Sequence, residues 1–112
     1  MPETGLLGAI VERKRHDVSA RLAGFTLETL RASAPSTQRS LREVLARPGV
    51  RFIMEVKRAS PSGGRLCKAD AASIASSYVG VADAISVLTD APFFHGALED
   101  LGSVRSVFEG PI

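Results

Sequence analysis

The sequence predicts an α/β protein in which a helical amino-terminal segment precedes alternating strands and helices. Apolar residues recur at helical spacing before residue 48 and again in two later stretches. Short apolar runs at 52–57 and 84–88 stand between turns that contain glycine or proline, as strands do. Strands that alternate with helices are typical of a parallel sheet built from right-handed crossovers.

We expect residues 1–48 to form a helical extension. Apolar residues at helical spacing over 6–22, with charged residues between them, predict an amphipathic helix. A shorter helix is expected over 27–31. Ser40 and Glu43 form a capping box, which predicts the start of a third helix that ends at the following Pro-Gly pair.

Residues 49–112 predict two strand-helix units of a parallel sheet. The run 52–57 is typical of a strand buried on both faces, and Asp70 can cap a helix that runs to about residue 79. A second buried strand is expected over 84–88. A proline- and phenylalanine-containing loop then leads into a helix that carries apolar residues through Phe108, and Ile112 is expected to begin a third strand.

Two such units leave strand edges and apolar helix faces uncovered. A closed parallel barrel of eight units needs roughly 250 residues. The sequence has 112 residues, so we expect it to be a fragment of a larger polypeptide.

Composition fits an ordinary globular protein, with 45% hydrophobic and 23% charged residues. The apolar runs are too short for a membrane-spanning helix, and charged residues near the start take the place of a signal-peptide core. A cytoplasmic location is therefore expected. The formal net charge of +2 comes from basic residues interspersed with acids, so neither nucleic acid nor a membrane is expected as a partner.

Metal ligation is not expected either. Cys67 is the single cysteine, and His16 and His95 lie far from it and from each other in the sequence. Neither histidine has a nearby cysteine, aspartate or serine in the pattern of a metal site or of a nucleophile and its base. The sequence therefore predicts a reduced thiol and no metal site.

Glu55 and Lys57 are the first candidate functional residues. They lie at the carboxyl end of the first predicted strand and, at alternate positions, point to the same side. Isolated charges are costly in a low-dielectric interior, so an acid and a base placed together suggest a polar binding site. A paired cluster that seals the interior, or a strand that ends earlier and leaves both side chains in water, fits the spacing equally well.

The segment Ser60-Pro61-Ser62-Gly63-Gly64 follows directly. Its glycines let backbone N–H groups approach an anion, and its hydroxyls can donate to it. Such a composition is by itself more often only a turn. Its position favours function, because the loops after the strands of a parallel barrel form the face where active sites lie.

Residues 55–64, EVKRASPSGG, resemble the E-x-K-R/K-x-S-P-S-x-G signature of the indole-3-glycerol phosphate synthases, which stands at the end of their first barrel strand. Residues 84–90 are similar to that family's second strand, and 93–101 to the aromatic loop and helix that follow it. The amino-terminal helices resemble the family's extension. The resemblance implies the amino-terminal part of a TIM (β/α)8 barrel, with the helical extension and the first two βα units, truncated at the third strand.

The resemblance also implies an activity. Enzymes of this family convert 1-(2-carboxyphenylamino)-1-deoxyribulose 5-phosphate to indole-3-glycerol phosphate with loss of CO2 and water, without metal or organic cofactor. By the motif, Lys57 would stabilise the negative charge of this phosphorylated substrate, and Glu55 would hold its hydroxyls and tune Lys57. Ser60, with Pro61 beside it, would position the substrate near its phosphate end.

Three further residues would bind the aromatic part of the substrate. By the resemblance, Leu88 and Phe94 would line an apolar pocket and Ser86 would support it. For Phe94, simple packing of the loop is nearly as good an explanation.

Two positions depart from the family pattern. Gly63 stands where a lysine is frequent, and Ala97 replaces a serine whose loss as a helix cap would cost about 1 kcal/mol. The family's catalytic lysine on the third strand would lie beyond Ile112.

Two other classes of function remain. The chain could be a free-standing, non-catalytic phosphate-binding or assembly module, or part of another phosphate-binding barrel enzyme such as a sugar-phosphate isomerase. The latter need not carry the E-x-K-x-x-S-P-S pattern. Whether the parent is fused to a phosphoribosylanthranilate isomerase stays open.

Overall fold

The computed structural model describes residues 5–112, and the chain divides into two compact units, with the boundary between Thr37 and Gln38. The first unit contains α1 (Gly5–Arg21) and α2 (Leu27–Ser33). The helices of the second unit are α3 (Leu41–Leu45), α4 (Ala71–Tyr78), α5 (Ala91–Phe94) and α6 (Glu99–Arg105). Its strands are β1 (Ile53–Val56), β2 (Ala59–Ser60), β3 (Gly64–Arg65) and β4 (Ala84–Val87).

The two predicted helices of the first unit are confirmed. On α1, Arg13 and Asp17 form an ion pair of 3.0 Å across one helical turn. The start of α2 is fixed by Thr26, whose hydroxyl accepts the Thr29 N–H at 3.0 Å. The apolar side chains of α1 are largely exposed, with Leu7 at 67%.

A parallel pair of strands organises the second unit. β1 and β4 pair in parallel with Glu55 opposite Ser86, and α4 makes the crossover between them. The Leu88 N–H extends the ladder by donating to the Val56 carbonyl at 3.1 Å. The predicted parallel α/β arrangement is therefore confirmed as a two-stranded sheet.

The core lies on one face of this sheet. Val56 and Ile85 pack there against side chains of α4 and α6 and of the segment that follows α6, which are Ala71, Ala75, Val104 and Phe108. On the other face Ile53 is 52% exposed. The prediction that the first strand is buried on both faces is therefore wrong for the described chain, because α4 and α6 cover one face.

Two short elements stand where only loops were predicted. β2 and β3 form a small antiparallel hairpin after β1, and α5 is a single helical turn after β4. Elements this short do not establish a hydrophobic period, so periodicity could not reveal them. The last helix is also shorter than predicted, since α6 ends at Arg105 and a turn at residues 106–107 precedes Phe108.

The chain returns to the sheet at its carboxyl end. The Pro111 carbonyl accepts the Ile85 N–H at 3.0 Å, on the edge of β4 that faces away from β1. No strand is formed at Ile112 itself. The bond nevertheless lies where a third parallel strand would begin to pair.

Truncation of a core side chain should destabilise this unit. We predict that Ile85→Ala lowers the free energy of unfolding by about 2–5 kcal/mol, because its side chain is almost fully buried between sheet and helices. Urea denaturation checks this. Val81→Ala is the control, because Val81 is 58% exposed and its truncation should change stability by less than about 0.5 kcal/mol. Equal effects would contradict the assignment of the core.

The cap of α4 should make stability depend on acid pH. The N–H of Ser73 donates to the Asp70 carboxylate at 2.7 Å, and this bond, then the Ser73 side chain, lowers the pKa of Asp70 below its ordinary 3.8. A carboxyl whose pKa is lower in the folded state stabilises the fold above the unfolded-state pKa, and this stabilisation is lost as the pH falls through the folded value. Asp70→Asn keeps a cap but does not titrate.

We therefore predict that Asp70→Asn loses less stability than the parent when the pH falls from 6 to about 3. Urea midpoints at both pH values measure the difference. The same loss in both proteins would exclude Asp70 as a source of the acid sensitivity.

Candidate functional site

Glu55 and Lys57 meet at the carboxyl end of β1. Lys57 Nζ lies 3.5 Å from Glu55 Oε1, and the two side chains are 37% and 44% exposed. An ion pair this open to solvent contributes at most about 1 kcal/mol. The pair is therefore neither a sealed interior cluster nor two unrelated surface charges, and it can exchange its mutual contact for a ligand.

The strand register places Ser86 beside this pair. Glu55 lies opposite Ser86 in the parallel ladder, and paired residues of parallel strands point to the same face. Tyr78 fixes the backbone here, because its hydroxyl donates to the Glu55 carbonyl at 2.7 Å. The uncovered face of the sheet thus carries an acid, a base and a hydroxyl near its carboxyl end.

The loop that carries Ser60 forms a tight turn closed by the hairpin. The Gly63 N–H donates to the Ser60 hydroxyl at 2.9 Å. A Cβ at position 63 would lie only 2.9 Å from that same oxygen. Glycine therefore permits this close turn without a shift of the Ser60 hydroxyl. A hydroxyl that accepts one bond can still donate its own hydrogen to an anion.

Asp90 organises the loop that carries Phe94. Its carboxylate is buried and accepts the N–H groups of Phe93 at 2.8 Å and Phe94 at 3.3 Å. Its backbone carbonyl accepts the Gly96 N–H at 2.7 Å. These bonds close α5 into a compact turn at the carboxyl end of β4.

Gly96 brings this turn directly against the end of β4. A Cβ at this position would lie 1.9 Å from the Leu88 carbonyl oxygen, which no packing adjustment of side chains can relieve. The residue must therefore be glycine for the loop to approach the strand. The close approach thereby holds Phe94, in the same loop, near Leu88 at the end of the strand. Both side chains are half-buried.

The predicted site residues gather at one end of the two strands. The Ser60 turn follows β1, α5 follows β4, and α5 packs beside β2. The structure thus brings together the chain segments that carry the predicted site residues. These residues are Glu55, Lys57, Ser60, Pro61, Ser86, Leu88 and Phe94. The roles of these residues stay predictions.

Sequence reasoning missed Arg58, Asp90 and Asp100. Asp90 precedes Ala-Pro, and an aspartate before a proline in the first helical turn is a helix-start signal that could have revealed α5. Asp100 accepts the Ala97 N–H at 2.9 Å. This bond satisfies the N–H of Ala97 itself and does not replace the cap expected of a serine at position 97, and the N-cap of α6, Leu98, makes no side-chain cap bond.

Within residues 5–112, no group of three or more His, Cys, Asp or Glu side chains is placed to hold a metal ion. Among the same residues, no helix is both long and apolar enough to cross a membrane.

A cavity of about 410 Å³ lies along β4, lined by Ile53, Ala84 and Ser86 among others. It adjoins the face that carries Glu55.

Sequence comparison with known proteins matches almost the whole chain to one family. The family described as indole-3-glycerol phosphate synthase matches residues 7–112. The chain therefore belongs to the indole-3-glycerol phosphate synthase family.

Curated relatives from mycobacteria match over the whole chain. The indole-3-glycerol phosphate synthase of Mycobacterium avium is 42% identical over 116 aligned positions, covering 100% of this chain and 43% of that protein. That of Mycolicibacterium gilvum is 43% identical with the same coverage. That of Mycobacteroides abscessus is 42% identical, covering 96% of this chain and 41% of that protein. The chain thus spans less than half the length of these relatives.

The close approach at Gly96 can be tested with a matched glycine. We predict that Gly96→Ala lowers the free energy of unfolding by about 2 kcal/mol or more, because the new Cβ displaces the backbone of the loop or strand. Gly102→Ala is the control, since its Cβ meets nothing within 4 Å and alanine favours a helix by about 0.5–1 kcal/mol. Destabilisation by both substitutions, or by neither, would contradict the described packing.

Proposed function

We propose that this chain is the amino-terminal part of an indole-3-glycerol phosphate synthase of tryptophan biosynthesis. The parent enzyme is a carboxy-lyase that converts 1-(2-carboxyphenylamino)-1-deoxyribulose 5-phosphate to indole-3-glycerol phosphate, with loss of CO2 and water. The observation that carries the proposal is the segment from Glu55 to Gly63 at the carboxyl end of a parallel strand, within a family match over residues 7–112. The parent is expected to be a cytoplasmic protein.

For the parent we propose a TIM barrel, to which this chain contributes a helical extension over residues 1–48 and the first two βα units over 49–112. Three observations support this. The face of β1 opposite the core is open at Ile53, the outer edge of β4 already donates the Ile85 N–H to the Pro111 carbonyl, and more than half the length of the relatives lies outside the matched part. A closed barrel would cover both the face and the edge.

We assign the charged pair to the polar end of the substrate. Lys57 supplies a positive charge for the substrate carboxylate or phosphate, and Glu55 accepts hydrogen bonds from substrate hydroxyls while holding Lys57 in place. Their contact of 3.5 Å is loose and exposed in the described chain, so little interaction energy is lost when a ligand replaces it. Closure of the barrel around the pair would exclude water and strengthen the electrostatic interaction of the pair with the charged substrate.

Each of the two loops binds one end of the substrate. Ser60, with Pro61 fixing the turn beside it, donates its hydroxyl near the phosphate end. Leu88 and Phe94 form an apolar wall for the anthranilate ring, and Ser86 supports it from the sheet. Further acid and base groups, including the lysine expected on the third strand, belong to the sequence after Ile112. This chain accordingly positions substrate, and catalysis requires the rest of the barrel.

Complementation of a tryptophan auxotroph tests the proposal. We predict that the gene for the full-length protein restores growth without tryptophan and that the same gene carrying Lys57→Ala does not, because the substrate loses its positioned counter-charge. Lys68→Ala is the matched control, since Lys68 is an exposed lysine of the nearby loop and its loss should leave growth unchanged.

Two results would contradict the proposal in different ways. Failure of the unaltered gene, with the protein shown to be expressed, would favour a non-catalytic phosphate-binding or assembly module. Rescue by the Lys57→Ala gene would remove Lys57 from the mechanism while leaving the activity in place.

A further inference from the structure

An ion pair joins the two candidate substrate loops. Arg58 Nη2 lies 2.5 Å from Asp100 Oδ2. The side chains are only 25% and 13% exposed. Arg58 directly follows Lys57, and Asp100 lies in the first turn of α6, just after the loop that carries Phe94. The two residues are far apart in sequence and belong to different βα units.

The backbone of Arg58 is the base of the Ser60 turn. Its carbonyl accepts the N–H groups of Leu66 at 2.8 Å and Cys67 at 3.4 Å, which closes the β2–β3 hairpin. A displacement of Arg58 would therefore move both ends of the hairpin together. The turn held between Ser60 and Gly63 would move with them.

Asp100 is in the same way the base of the Phe94 loop. The oxygen that contacts Arg58, Oδ2, also accepts the Ala97 N–H at 2.9 Å. One carboxylate oxygen thus receives a guanidinium from the first loop and a backbone amide from the second.

The guanidinium is already neutralised by acids of this chain. Asp100 contacts it, and its positive charge also contributes to the lowered pKa of Asp70, after the hydrogen bonds from Ser73. A cation engaged in this way is a poor binding group for a substrate phosphate, in contrast to Lys57, whose contact with Glu55 is long and exposed. Arg58 is therefore better suited to hold structure than to contact the ligand.

We propose that Arg58 and Asp100 are positioning residues, which hold the Ser60 turn and the Phe94 loop at a fixed separation and so set the affinity of the site for its phosphorylated aromatic substrate. Neither residue touches the substrate. The inference rests on the proposed function, because that function defines a ligand whose two ends bind to the two loops at the same time.

Steady-state kinetics of the full-length protein tests the proposal. Arg58→Met and Asp100→Asn should each raise KM for 1-(2-carboxyphenylamino)-1-deoxyribulose 5-phosphate by about tenfold, with kcat changed by less than about threefold, because the substrate must then order the two loops that the pair no longer holds together. The double variant should be no worse than the poorer single variant. Arg58→Lys keeps the charge without the planar fork and should fall between.

The pair Arg51–Asp83 is the matched control. It lies at the opposite end of the strands, with a separation of 3.3 Å and side-chain exposures of 27% and 21%. Arg51→Met should lower thermal stability and leave KM unchanged. A purely structural role for Arg58 would make its variant behave like this control, which would overturn the proposal, as would additive penalties in the double variant.

Amide hydrogen exchange gives a readout that needs no turnover. Arg58→Met should speed exchange at both Leu66 and Ala97, and Asp100→Asn should do the same, because each residue anchors the other loop as well as its own. Faster exchange confined to the loop of the substituted residue would refute the coupling. Absence of turnover by the unaltered protein would instead refute the proposed function, and the exchange experiment would still decide on the coupling.

Discussion

The parallel pairing of β1 with β4 across the α4 crossover is the constraint on which the other features of the second unit depend. It sets Glu55 opposite Ser86, and it places the carboxyl ends of both strands at the same edge of the sheet. Helices α4 and α6 bury one face of the pair around Ile85 and Val104. The other face carries Glu55 and Ser86 near its carboxyl end, and the loops that follow the strands become neighbours. A change of register by one residue would send Glu55 and Lys57 into the core.

The loops and the charged pair differ in how firmly they are held. Asp90 and Gly96 fix the Phe94 loop through backbone bonds and close contact, and Gly63 fixes the Ser60 turn. Glu55 and Lys57 have only a long, exposed contact with each other. A rigid frame around a loosely paired acid and base suits the substrate positioning that we propose, because the frame defines the geometry while the two charges can exchange their mutual contact for a ligand.

Sequence reasoning succeeded where a hydrophobic period or a cap provides a local signal. The helices α1 and α4 and both parallel strands follow from such patterns, and Asp70 caps α4 as expected. Burial of β1 on both faces was wrong, because an apolar run does not reveal which neighbours are present to cover it. The hairpin and α5 are too short for a period. The contact of Arg58 with Asp100 depends on the fold itself, so no local pattern could indicate it.

The central claim is that this chain supplies one wall of an active site whose other walls belong to the rest of a barrel. The most direct test is the rate at which purified proteins form indole-3-glycerol phosphate from 1-(2-carboxyphenylamino)-1-deoxyribulose 5-phosphate, measured for the full-length protein and for the 112-residue chain alone. We expect turnover by the full-length protein and none by the isolated chain. Turnover by the isolated chain, or its absence in the folded full-length protein, would contradict the account.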